Sequence, residues 1–297
     1  MIGGSEMANE TVLHPELEIG WVQIRVSNLE RSLSFYQKVV GLSILRQTGR
    51  EVEMTADGKT VLLILREIED AKVIRPNSVA GLYHFAILVP DRPSLGLVLR
   101  NLISSGIEVG QGDHLVSEAL YIQDPDNNGI EIYRDRPKDT WSYDAQGNVV
   151  MTTDPVDIDG LLAASEGLQW TGLPAETIIG HVHFHVGSLN KAKAFYVDLL
   201  GFELTANYGS AAMFISAGGY HHHVGLNVWA GQGAPAAPPD VAGIDYFTLV
   251  LPNEEERTAV VNRARQAGYK VTEQNGNPEF RDPWNIGIRL VLQDPTV

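Results

Sequence analysis

The sequence predicts an α+β protein made of four copies of one strand–helix–strand–strand–strand unit. Three observations carry this. Residues 19–42 (IGWVQIRVSNLERSLSFYQKVVGL) and 179–202 (IGHVHFHVGSLNKAKAFYVDLLGF) share one pattern. Residues 82–132 and 244–291 share a second, each closing on Asp-Pro followed by Gly-Ile. In all four, alternating apolar residues give way to a helical period and then return to strands.

The elements follow in order. In the first unit IGWVQIRV alternates as a half-buried strand. Ser27 or Asn28 caps the next helix, whose Phe35, Tyr36 and Val39 share one core-facing side. Gly41 suits a left-handed stop. The second unit opens with LYHFAILVPDR, continues as a helix from Pro93 to Ser105 and closes in DPDNNGIEIY. The third repeats the first, with Ser188 as cap, Phe195, Tyr196 and Leu199 as core and Gly201 as stop. The fourth opens with IDYFTLVLPNE, is helical from Glu254 to Ala267 and closes in DPWNIGIRLV. The Asp-Pro pairs at 124–125 and 282–283 are turns. Residues 1–18 are an extension, 19–136 the first pair of units, 137–178 a linker and 179–297 the second pair. The linker is rich in Pro, Gly and Asp, with a short helical run near Leu161 to Glu166. A helix in every unit argues against a propeller.

Composition bounds the function. The 297 residues carry a net charge of −15, which argues against nucleic acid and anionic membrane as partners. The apolar content of 44% is that of a folded soluble protein. No apolar run reaches membrane-span length. The start MIGGSEMANE has no basic or apolar stretch, so no signal peptide is read and a cytoplasmic location is expected. Cys is absent, which removes disulfides, thiolate nucleophiles and iron–sulfur clusters. A metal site must therefore use carboxylates and the nine His.

Comparing the four copies isolates such a site. At one first-strand position the units carry Trp21, His84, His181 and Tyr246. In the closing strand the second unit has Glu131 where the fourth has Arg289. Two imidazoles and a carboxylate form a facial triad that leaves a ferrous ion open to other ligands; the same triad binds manganese. Trp and Arg cannot ligate a cation. If the second unit pairs with the third, and the first with the fourth, one site is complete and the other holds Trp21, Tyr246 and Arg289 as filling. Each residue alone has a plainer reading: a strand His packs, and a strand Glu is solvated. His183 and His185 share a face with His181 and read as packing or supporting groups.

With these residues in view the chain resembles the vicinal oxygen chelate superfamily of βαβββ modules, over about residues 19–136 and 179–294. That resemblance implies the glyoxalase/bleomycin resistance/extradiol dioxygenase fold, with modules forming two open β-barrel-like domains. More narrowly it resembles four-module extradiol ring-cleavage dioxygenases of the catechol 2,3-dioxygenase kind. In that family one module supplies a first-strand His ligand and a catalytic His near its last strand. The third unit matches with His181 and the run His221-His222-His223 before VGLNVW. The partner module supplies a first-strand His, a second His, a Tyr and a closing Glu. The second unit matches with His84, His114, Tyr121 and Glu131. The order departs from the family, because here the Glu-bearing module comes first.

The resemblance implies an Fe(2+) enzyme opening a small aromatic diol with dioxygen, with Mn(2+) and hydroquinone-type substrates left open. His222 takes the acid–base role and His223 is its alternative, since neighbours on a strand face opposite sides. Tyr121 would hydrogen-bond a substrate oxygen and His114 would orient a hydroxyl. Two other functions occur on the scaffold: a glyoxalase-type isomerase or thiol transferase, and a metal-free drug-sequestering module. The first takes a second carboxylate, where this chain has Leu226 and Asn227. Exposed strand edges leave a homo-oligomer open.

Overall fold

The protein is described here as a computed structural model over residues 12–293. The first eleven residues of the 1–18 extension, and 294–297, lie outside the described residues. The first module comprises β1 (Glu18–Val26), α1 (Leu29–Phe35), β2 (Ser43–Thr48), β3 (Glu51–Thr55) and β4 (Leu63–Glu67). The second comprises β5 (Gly81–Leu88), α2 (Arg92–Ser104), β6 (Gly110–Asp113), β7 (Ser117–Gln123) and β8 (Gly129–Asp135). After α3 (Ile158–Ala164), the third comprises β9 (Ile178–His185), α4 (Leu189–Ala192), β10 (Glu203–Tyr208), β11 (Ala212–Ser216) and β12 (Val224–Asn227). The fourth comprises β13 (Gly243–Leu251), α5 (Glu254–Gln266), β14 (Thr272–Gln274), β15 (Asn277–Arg281) and β16 (Gly287–Leu292).

The modules pair across the chain and form two eight-stranded sheets that curl into open barrels. One runs β14-β15-β16-β13-β1-β4-β3-β2 and joins the fourth module to the first. The other runs β10-β11-β12-β9-β5-β8-β7-β6 and joins the third to the second. Each is centred on an antiparallel pair, β1 with β13 and β5 with β9. Strand alternation explains how the two sheets meet. Val182 and Phe184 of β9, Phe85 and Ile87 of β5, and Val22, Ile24, Phe247 and Leu249 of the other sheet are buried in one shared core. Phe184 and Phe247 touch there, with ring centroids 5.3 Å apart.

Local chemistry sets the boundaries. Asn28 accepts from Arg31 N–H at 2.8 Å and Ser188 from Lys191 N–H at 3.3 Å, so both capping expectations hold, the first through Asn28. Both first-pattern helices end in a wide π turn (36–40 and 193–199), and Gly41 and Gly201 follow at φ 93° and 98°. The Phe-Tyr pairs are core with a second task. Tyr36 Oη donates to Asp124 Oδ2 and Tyr196 Oη to Asp282 Oδ2, each at 2.9 Å. Each of these Asp residues also caps its own Asp-Pro turn, accepting two backbone N–H groups at 2.8 Å. Sequential modules are therefore tied by buried tyrosines, while the sheets tie modules from opposite halves. α3 begins earlier than the expected run at Leu161, because Asp157 caps it through Gly160 N–H at 3.0 Å. Arg100 of α2 fastens it through Leu162 O (2.6 Å) and Ser165 Oγ (2.8 Å).

Candidate metal centre

Strand geometry builds the site on the open face of the second sheet. On β9 the core takes Val182 and Phe184, so His181, His183 and His185 project from the other face. On β5 the core takes Phe85 and Ile87, leaving His84 and Ala86 opposite. Ala86 lies between His181 of β9 and Glu131 of β8 in the register. Its single methyl leaves the space between those two longer side chains open. Tyr121 of β7 stands next to Glu131.

His84, Glu131 and His181 converge. Their ligand atoms all lie within 4.8 Å of one another, and all three residues are buried. Glu131 Oε2 is 3.0 Å from His84 Nε2 and 3.1 Å from His181 Nε2. Ligands about 2.1 Å from one ion and at right angles to each other lie about 3 Å apart, so the two spacings from Glu131 fit neighbouring positions of a coordination sphere. The 3.0 Å approach of His84 Nε2 is not aligned as a hydrogen bond, and that buried nitrogen has no other partner. A buried polar atom without a partner is rare and fits a lone pair awaiting a cation. Burial pushes the His181 pKa down to about 4, which keeps the imidazole neutral. Burial works to raise the Glu131 pKa, but His181 and His84 outweigh it and hold the carboxylate well below its usual range. A neutral His181 imidazole beside an ionised carboxylate suits the binding of a divalent cation.

A cavity of about 620 Å³ opens above this floor, lined by His84 and Glu131 together with His114, Tyr121 and His222. The His222 ring lies 4.2 Å from that of His181. His223 does not join them. It lies on the opposite side of the chain, where its Nδ1 accepts from Ala217 N–H at 3.2 Å and its ring lines a different cavity. The cause is the side alternation of an extended chain entering β12.

Three supporting groups emerge that sequence reasoning did not single out. Asp135 Oδ1 accepts from His221 Nε2 at 2.9 Å, and His221 Nδ1 lies 2.9 Å from His222 Nδ1. A carboxylate only accepts, so a neutral His221 offers Nδ1 as acceptor. His222 then donates from Nδ1 and keeps its Nε2 lone pair. Asp135 shares a β8 face with Glu131, a period-two signal visible in the sequence. Asn227 is fully buried and clamps the lower histidines, donating to His183 Nε2 at 2.9 Å and accepting from His185 Nδ1 at 2.6 Å. Gly225 makes room for His183, since a Cβ there would stand 2.7 Å from the imidazole Cγ. Third, the 137–178 segment contributes Met151, Thr152 and Thr153 to the cavity wall. Thr152 O accepts from His114 Nδ1 at 2.6 Å, so a neutral His114 uses Nε2 to accept from Tyr121 Oη at 2.7 Å. Burial, with Glu131 nearby, holds the Tyr121 pKa well above its usual value, so it stays a phenol.

The first sheet answers the same positions differently. Arg289 donates to Glu279 Oε2 at 3.0 and 2.8 Å and to Tyr246 Oη at 2.8 Å. Its guanidinium carbon lies 3.7 Å from the centre of the Tyr246 ring, and Trp21 Nε1 donates to Tyr246 Oη at 3.3 Å.

Comparison with known proteins bears on this site. The family model described as Glyoxalase/Bleomycin resistance protein/Dioxygenase superfamily matches residues 18–132 and 178–290. A Bacillus subtilis (strain 168) protein named catechol-2,3-dioxygenase is 54% identical over 274 residues, 92% of this chain and 96% of that protein. Among solved structures, a provisionally assigned dioxygenase of Bacillus subtilis subsp. subtilis str. 168 superposes with TM-score 0.63 at 15% identity, covering 94% of this chain and 86% of that one. Glyoxalase I of Zea mays superposes with TM-score 0.55 at 16% identity, over 93% and 92%. At those identities the two structures speak for the fold alone. The chain belongs to the glyoxalase/bleomycin resistance protein/dioxygenase superfamily.

Proposed function

We propose that this protein is an iron(II)-dependent extradiol dioxygenase that opens a catechol-type ring beside its diol. The observation that carries the reading is the buried His84–Glu131–His181 cluster, of which His84 and Glu131 line a cavity of about 620 Å³. The relative named catechol-2,3-dioxygenase supports it. His84 Nε2, His181 Nε2 and a Glu131 oxygen would hold the metal. The chemistry such a centre supplies is electron transfer between a diol and dioxygen held together.

The remaining steps belong to the protein. Burial, reinforced by the neighbouring His181 and His221, keeps His222 far below its usual pKa and so neutral. With Nδ1 committed to His221, its Nε2 is the base that takes a diol proton and later returns it. Tyr121, its O–H donated to His114 in a hydrogen bond, offers an oxygen lone pair to a substrate hydroxyl. A glyoxalase-type site would need a further carboxylate. By strand register the third module's counterpart of Glu131 is Gly225, which has no side chain, and the amide of Asn227 two residues on is already spent on His183 and His185.

The test is metal analysis of the purified protein, then anaerobic loading with iron(II), addition of catechol and admission of air. A yellow ring-fission product with oxygen uptake is expected. Full iron loading with no oxygen uptake on any diol or hydroquinone defeats the reading.

A further inference from the structure

The cavity is far larger than the ring that the proposed chemistry requires. Its volume of about 620 Å³ is roughly four times the 150 Å³ in which a benzene ring is known to bind. The surplus has a definite chemistry. Phe214 meets His222 edge-on, with ring centroids 4.9 Å apart, and Tyr208 continues that wall 5.4 Å beyond Phe214. Met151, Val116 and Trp229 also line the cavity, and Ala212 at its side contributes little bulk. Tyr208 Oη donates to Met151 O at 3.1 Å, joining the tip of β10 to the 137–178 segment across the rim. Among the described residues the lining includes no Lys and no Arg, and its one carboxylate is Glu131. The nearby arginines are already engaged: Arg136 by Asp113, and Arg92 and Arg134 by Glu118. The whole chain carries a net charge of −15.

From this geometry we infer the substrate class: a catechol bearing an uncharged apolar substituent, alkyl or aryl, with carboxylated catechols discriminated against. The inference rests on the ring-cleavage reading and narrows it. An apolar tail placed along Phe214 and Tyr208 leaves water for apolar surface, gaining about fourfold in affinity for each fully buried methylene. A ring carboxylate has no cation to meet in the cavity, and its burial opposes binding.

The test compares catechol, 4-butylcatechol and 3,4-dihydroxyphenylacetate. Calorimetry on the iron-loaded protein without oxygen gives binding, and oxygen uptake in air gives kcat/KM. Half-burial of the butyl group predicts about tenfold tighter binding than catechol. The carboxylated ligand is expected to bind at least about 100-fold more weakly than the butyl one. In Met151→Arg that last ratio narrows by at least about tenfold, because the new cation meets the carboxylate. Carboxylated ligand bound as tightly as the butyl one, with catechol still cleaved, overturns the inference and leaves the ring-cleavage reading standing. The expected binding order with no diol cleaved supports the ligand class and removes the ring-cleavage reading instead.

Discussion

Glu131→Ala and Arg289→Ala test the site assignment as a pair, because the two residues hold equivalent closing-strand positions in different sheets. Glu131 is the only anion of its cluster and is almost wholly buried. A metal bound only by the folded protein at one hundred times its dissociation constant adds about 2.7 kcal/mol. For a chain of this length that raises the melting temperature by about 5–10 °C. Residues that merely support a ligand are worth about 10–100-fold in metal affinity, so losing the carboxylate itself costs more than about 100-fold. At the same metal concentration the variant's gain falls below about 0.4 kcal/mol, or roughly 1 °C. Arg289→Ala instead takes the main partner from buried Glu279, to which Arg281 still donates at 3.0 Å. Breaking such a pair destabilises by up to about 3–5 kcal/mol, yet the iron-induced shift should survive in full. The assay is differential scanning fluorimetry of each protein with and without iron(II) under nitrogen, read as the shift within each variant so that changes in fold stability cancel. Iron content after desalting is measured in parallel. Equal shifts and equal iron in the two variants refute the assignment.

Three further outcomes follow from the geometry. Asp135→Asn places an amide that can donate to His221 Nε2, which reverses the His221–His222 bonding sense and ties up the base; kcat on catechol should fall at least about tenfold with KM little changed, and a fall confined to KM contradicts the relay. Tyr196→Phe removes the donor to Asp282 Oδ2 and should destabilise by about 1–3 kcal/mol in urea while iron loading stays full; lost iron loading would contradict a purely structural role. Metal-free protein should lose stability on acidification: burial lowers His181 to about 4 and His223 to about 3, so only the unfolded chain takes up their protons between pH 6.5 and 5. That costs about 2 kcal/mol for each His by pH 5, partly offset by about 1 kcal/mol from Asp282, which burial raises to about 6 and which runs the other way; urea curves at pH 7 and 5 that coincide would refute it.

Much of the architecture was legible because the chain repeats itself. Trp21, His84, His181 and Tyr246 could be set against one another only as copies of one strand position, and the pairing of Glu131 with Arg289 then separated a ligand set from its substitute. The second sheet joins the second and third modules, as that split of ligand types requires. What stayed hidden has a physical cause in each case. Thr152 reaches His114 through a backbone carbonyl, which leaves no mark on side-chain identity. Met151 and Tyr208 meet at the rim although they lie in different segments, so no local period links them. Asn227 looked like a missing carboxylate until its amide was seen to serve two imidazoles at once. Asp135 was within reach, since Glu131, Tyr133 and Asp135 alternate onto one face, but an ionised group at a strand end ordinarily reads as solvated.

The two sheets solve one electrostatic problem in opposite ways. In the first, the chain brings its own cation: Arg289 saturates Glu279 and lies over Tyr246, so charge and hydrogen bonds close without any guest. In the second, the matching position is Glu131, its neighbours are imidazoles, and among the described residues two buried nitrogens, His84 Nε2 and His181 Nδ1, are left without a hydrogen-bond partner. A guanidinium therefore performs for one sheet what a metal ion would perform for the other. It follows that Arg289→Glu alone would not create a second site. It would place a new carboxylate beside Glu279, with Trp21 and Tyr246 standing where His181 and His84 stand in the working copy. Neither of those rings carries the imidazole lone pair that the other sheet supplies, so a second centre requires all three positions to change together.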